Sequence, residues 1–146
     1  MKHCIRFFSE VEIKVSGYRS SKSWIIHVLE GFQQVAGNLC FILVNDEGLL
    51  KLNQQYLQHD TFTDIITFDY SEKEGDITGD IYISIDRVLE NASERNLNPL
   101  DELQRVMVHG VLHLIGFNDK TPAQKKKMRA EEDYWLNLPD AARQKK

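Results

Sequence analysis

The sequence predicts an α+β domain over residues 1–146, with a small mixed sheet of about four strands covered by about five helices. Two observations predict it. Apolar residues recur at the helical period in some segments and at the strand period in others. Taken along the chain, those segments run strand, helix, strand, helix, two strands, then helices.

Residues 4–8 (CIRFF) form the first short strand, and 9–19 (SEVEIKVSGYR) fit either a strand or an extended loop. Ser20 or Ser21 can cap a helix running to about Val35, with Trp24, Ile25, Val28, Leu29 and Phe32 on one face and Gly37 as its end. Residues 38–44 (NLCFILV) are a continuous apolar run, the signature of a central strand. Asn45 and Asp46 cap a second helix to Tyr56, with Leu49, Leu50, Leu52 and Tyr56 inward. Residues 64–69 (DIITFD) are β-branched and aromatic and read as a strand. A polar loop over 70–79 precedes GDIYISID, where Ile81, Ile83 and Ile85 alternate with polar residues. These two strands can pair antiparallel.

Asp86 opens a third helix to about Arg95. The fourth has the clearest signals: Asn98 as cap, Pro99 in the first turn, Asp101 and Glu102 to complement the dipole, and Gly116 as the C-terminal cap. It is apolar on nearly every side from Val106 onward, which predicts burial. Thr121 and Gln124 form a capping box for a last helix, with Met128, Trp135 and Leu138 inward and its lysines in water.

Composition bounds the function. Apolar residues are 42% and charged residues 27%, ordinary for a soluble protein. The net charge of −4 gives no global attraction to nucleic acid. Basic residues cluster locally at 125–129 (KKKMR) and at the C-terminal RQKK. No run approaches the ~18 apolar residues that span a bilayer, and the N-terminus lacks the apolar core of a signal peptide. Cys4 and Cys40 lie in apolar segments without metal or redox spacing, so both are expected as buried free thiols in a reducing compartment. Together these features predict a cytoplasmic protein.

Residues 109–119 read HGVLHLIGFND. On a helix, positions four apart lie about 40° apart around the axis and one turn apart along it, so His109 and His113 can aim at one point. Gly116 lets the chain reverse, which can bring Asp119 back over His113. Two imidazoles, one carboxylate and an open fourth position is the pattern of a catalytic zinc site. The alternative is a pair of core histidines bonded to carbonyls, although burying two without a shared partner is costly. In zinc peptidases with HExxH, the residue after the first histidine is the glutamate general base. Here it is Gly110, which cannot accept a proton.

HGVLHLIGFND resembles the HGxLHLxGxDH signature of the YbeY family of endoribonucleases, also called rRNA maturation factors. LNQQYLQHDTFTDIITF resembles that family's LNxxYRxKDxxTDVLSF, and GDIYIS resembles its GDIxIS. The resemblance covers about residues 38–138. It implies one Zn²⁺ per chain on His109, His113 and Asp119, the last standing where the family has a third histidine. Asn118 occupies the family's aspartate position. The family arginine falls on Leu57, so either another cation substitutes for it or the phosphate clamp differs. His59 stands at the family's lysine position, and Thr63 and Asp64 match its TD pair. His59 and Asp64 are thus candidate catalytic residues, and Glu102, seven residues before His109, is a candidate to support a ligand.

The implied activity is cleavage of single-stranded RNA in ribosomal RNA maturation, at the 16S 3′ end, and in ribosome quality control. The implied partners are ribosomal RNA precursor and the small subunit or its associated factors, with no DNA and no membrane. Lys120 and Lys125 to Lys127 are placed to steer RNA phosphates. Two other readings fit the same residues: another zinc hydrolase, such as a peptidase, or a non-catalytic ribosome-associated metal-binding factor.

Overall fold

The computed structural model describes residues 2–12, 15–56 and 64–138. A four-stranded mixed sheet has the order β1 (Ile5–Ser9), β2 (Val35–Val44), β4 (Asp76–Ser84), β3 (Ile65–Asp69). β1 and β4 each pair parallel with β2, while β3 pairs antiparallel with β4 and forms one edge. The helices are α1 (Lys22–Gly31), α2 (Asp46–Tyr56), α3 (Ile85–Glu94), α4 (Pro99–Ile115) and α5 (Pro122–Leu136), with a 3₁₀ turn at Tyr18–Ser21. No helix among the described residues is long and apolar enough to cross a membrane.

Strand alternation divides the core. Leu39, Phe41, Leu43, Ile81 and Ile83 face the large helical layer, where α4 lies with Leu103, Met107, Val108, Val111 and Leu112 buried against them. Ile42, Val44 and Ile66 point to the opposite face, where Leu49 and Leu52 of α2 cover them. The sheet therefore fixes the height and tilt of α4. Gly110 sets how close they come: a Cβ there would stand 2.9 Å from Ile65 Cδ1 and from Ile81 Cγ2.

Several expectations are corrected. α1 stops at Gly31 and not near Val35, because Gln33 takes a left-handed φ of 57° and the chain turns into β2. Gly37 lies inside β2, at an irregularity in its pairing with β4, where a Cβ would meet the Asp76 carboxylate at 2.1 Å. Neither serine caps α1 by its side chain. Ser20 Oγ donates to the Gly17 carbonyl, and Ser21 Oγ accepts from Gln104 Nε2 at 3.0 Å, tying α1 to α4. β4 begins at Asp76, inside the segment expected to be loop. Ser84 and not Asp86 caps α3. Tyr56, expected inward, is exposed. Cys4 and Cys40 are free but only half-buried.

Candidate metal centre

The expected signals at both ends of α4 are present. Asn98 Oδ1 accepts from the Leu100 amide at 2.9 Å, and Pro99 occupies the first turn. At the far end Gly116 takes a φ of 127°, and the Phe117 amide bonds back to the Leu112 carbonyl. The chain reverses there. The Thr121–Gln124 capping box then starts α5 two residues after Asp119, with reciprocal bonds of 3.1 Å. Asp119 is thus pinned between two helix ends.

This brings three donor atoms together. His109 Nε2 and His113 Nε2 lie 3.1 Å apart, and Asp119 Oδ2 is 3.4 Å from each. Four donors arranged tetrahedrally at zinc-type bond lengths stand about 3.3 Å from one another. Octahedral donors at magnesium-type lengths stand about 2.9 Å apart. The trio therefore fits a tetrahedral divalent ion, and His109, His113 and Asp119 could hold one. Asn118 is exposed and lines a separate groove with Phe117, Gln124 and Lys127.

A residue not anticipated from the sequence orients this site. Glu132 Oε2 lies 2.6 Å from His109 Nδ1. A carboxylate only accepts, so Nδ1 donates and the Nε2 lone pair is left facing the trio. Arg105 Nη1 in turn donates to Glu132 Oε1 at 2.9 Å, and its Nη2 to Asp133 Oδ1 at 2.9 Å. Glu132 is only 4% exposed. Burial by itself would depress the His109 pKa. The Glu132 bond and the charges of Glu132, Asp119 and Asp64 outweigh it, and the imidazole is held above its ordinary value.

Two depressions meet at the trio. A groove follows the edge strand β3 past Asp64, Ile65, Ile66 and Thr67 to His109, His113 and Asp119. On the other side, a cavity of about 340 Å³ lies between the end of α3, α4 and α5. Its wall carries Arg95, Arg105, Lys125 and Arg129 against Asp64, Glu102, Asp119 and Glu132, a balanced set of charges. Asp64 therefore lies at the site, bordering both depressions. His59, Leu57 and Thr63 lie outside the described residues. Of the lysines expected near RNA, only Lys125 lines the cavity. Lys127 sits over the Phe117 ring at 5.5 Å, and Lys120 and Lys126 are exposed elsewhere. Glu102 is buried in the cavity wall.

A family model described as Endoribonuclease YbeY matches residues 8–138. Proteins of that name are similar over nearly the whole chain. The one from Flavobacterium psychrophilum is 44% identical over 134 residues, 92% of this chain and 95% of the relative. The one from Parabacteroides distasonis is 39% identical over 141 residues, 95% of this chain and 99% of the relative. Among solved structures, the solution structure of TM1509 from Thermotoga maritima superposes with a TM-score of 0.66 at 29% identity, covering 90% of this chain and 86% of that one.

Proposed function

Since the chain belongs to the YbeY endoribonuclease family, we infer that it is a zinc-dependent, single-strand-specific endoribonuclease. In this reading it forms one metal-dependent hydrolase domain over residues 1–146. It acts in the cytoplasm on ribosomal RNA precursor, at the 16S 3′ end, with the ribosomal small subunit or its associated factors as partner. The observation that carries the chemistry is the convergence of His109, His113 and Asp119 at tetrahedral spacing.

His109, His113 and Asp119 would hold the ion, which when bound supplies Lewis-acid polarisation of a phosphoryl oxygen and two positive charges. The chain's own residues do the rest. Glu132 keeps the His109 ring in one tautomer and one orientation, and Arg105 keeps Glu132 in place. Arg95, Lys125 and Arg129 present cations to the phosphates of a strand crossing the site. Asp64, which borders both depressions, would orient a nucleophile.

The peptidase alternative lacks its base. Gly110 faces Ile65 and Ile81 in the core and not the trio, so the position after the first histidine reaches no substrate. Incubating metal-loaded protein with end-labelled single-stranded RNA tests the reading. Cleavage that is lost on chelation and in His113→Ala supports it. A 5′-phosphate product assigns water as nucleophile, and a 2′,3′-cyclic phosphate assigns the 2′-hydroxyl. Intact RNA after incubation with metal-replete protein refutes the activity and favours a non-catalytic binding factor.

A further inference from the structure

The cavity between α3, α4 and α5 holds more than the metal site uses. Its volume, about 340 Å³, is at the small end for ligand pockets and suits one nucleotide. Arg129 and Lys125 line it with no ion pair among the described residues. Deeper in the wall lies Glu102, whose side chain is only 2% exposed. Among the described residues its Oε1 accepts no hydrogen bond, and Arg95 Nη1 makes only a long ion pair with it, at 3.6 Å. A buried carboxylate oxygen without a donor is costly to keep. Nothing in the metal trio or its support by Glu132 requires it.

We propose that this cavity is the subsite for the nucleotide adjoining the scissile phosphate, with Arg129 and Lys125 on its outer phosphate and Glu102 accepting a hydrogen bond from its ribose 2′-hydroxyl. The proposal rests on the ribonuclease reading and adds to it a residue that tells RNA from DNA. The chemistry is matched at both ends. Arginine and lysine at the exposed rim suit a phosphodiester. A carboxyl oxygen without a donor in the interior suits a hydroxyl that DNA lacks. His109 and Asp119 line this cavity as well as the trio, so a nucleotide seated there places its neighbouring phosphate at the metal site. When the ribose enters, Arg95, half-exposed on its side chain, gives up its loose contact with Glu102 to the hydroxyl.

The test uses a ligand that contains no internal diester and so cannot be cleaved. Adenosine 3′,5′-bisphosphate and its 2′-deoxy and 2′-O-methyl counterparts are titrated into zinc-loaded protein and followed by NMR. In wild type the ribose form binds about tenfold tighter than either counterpart, the size of one hydrogen bond to a charged group. Glu102→Gln narrows that ratio to about threefold, and Glu102→Leu brings it near one. Arg129→Ala, an exposed position, weakens all three ligands about fivefold and leaves the ratio unchanged. Equal binding of the three ligands to wild type overturns the proposal whatever the variants do. So does a ratio that survives both Glu102 substitutions, or an Arg129→Ala protein that binds as wild type. A ribose preference that depends on Glu102 in a protein that leaves labelled RNA intact would remove the nuclease activity but keep the subsite. Cleavage without the preference would do the reverse.

Discussion

Glu132 Oε2 stands 2.6 Å from His109 Nδ1, so a carboxylate from α5 fixes the face that a histidine of α4 turns toward the metal site. The two residues are 23 apart in sequence and meet because α5 folds back along α4. Removing the carboxylate frees the ring to rotate and to change tautomer. Outer partners of ligating histidines are worth about tenfold to a hundredfold in metal affinity. Glu132→Gln, which keeps an acceptor, should weaken zinc binding about tenfold, and Glu132→Ala about a hundredfold, in a chelator competition assay. Affinity equal to wild type in Glu132→Ala would show that His109 needs no such support.

Arg105 compensates Glu132 from the other side, and its own side chain is 20% exposed. Arg105→Met leaves a buried carboxylate without its cation. Loss of one partner from a buried pair is strongly destabilising, and partial exposure screens this one. The expected cost is about 2 kcal/mol in urea denaturation of the metal-free protein. Zinc affinity should also fall, by less than in Glu132→Ala. An unchanged denaturation midpoint would mean that water replaces the guanidinium.

Glu102 gives the protein a pH dependence of definite sign. Burial raises its pKa above 4.5 and prevails over Arg95, Arg105 and Arg129, while Asp64 adds to the rise. The folded state therefore holds this proton more tightly than the unfolded chain does. Its contribution costs nothing below pH 4.5, grows unfavourable as pH rises from there through the folded value, and is constant above it. Glutamine does not titrate. The stability of wild type minus that of Glu102→Gln, measured on chelated protein, should fall with rising pH across that window. Parallel curves would place the Glu102 pKa at its ordinary value.

Gly79 ties the edge strand to the site. A Cβ there would lie 2.4 Å from the Phe68 carbonyl oxygen, a backbone atom that can move only with β3. Gly79→Ala should destabilise the fold by about 2 kcal/mol, the scale of overpacking a tight contact. It should also weaken zinc binding, because Asp64 and the groove beside the trio move with the strand. A fully stable Gly79→Ala would mean that β3 shifts freely.

The features legible in the sequence are the local ones. Asn98, Pro99 and Gly116 are cap signals read within one turn, and they bound α4 as expected. The His109–His113 spacing carries its own geometry once the segment is helical, and Gly116 with the Thr121–Gln124 box explains the return of Asp119. The misread end of α1 has a physical cause. Val35 and Ala36 are apolar and suit either a helix face or a strand, and the left-handed Gln33 that decides between them is a residue type without a turn signal.

Glu132 was missed because its role depends on how two helices pack. A signal existed, since Met128, Glu132 and Trp135 recur at helical spacing and share the buried face of α5. A carboxylate on that face requires a partner, and the histidine pair was the available one. The cavity cations Arg95, Arg105 and Arg129 come from three different helical segments, so no linear pattern gathers them.

In the proposed function His109, His113 and Asp119 hold one zinc ion. The most direct measurement is the metal content, by inductively coupled plasma mass spectrometry, of protein purified without a histidine tag, beside His113→Ala and Asp119→Ala. Wild type should carry one zinc per chain and both variants should lose it, with each variant still folded by circular dichroism. Wild type that takes up no metal when zinc is supplied would contradict it and leave HGVLHLIGFND as a core segment. Full zinc in Asp119→Ala would contradict the assignment of the aspartate as third ligand.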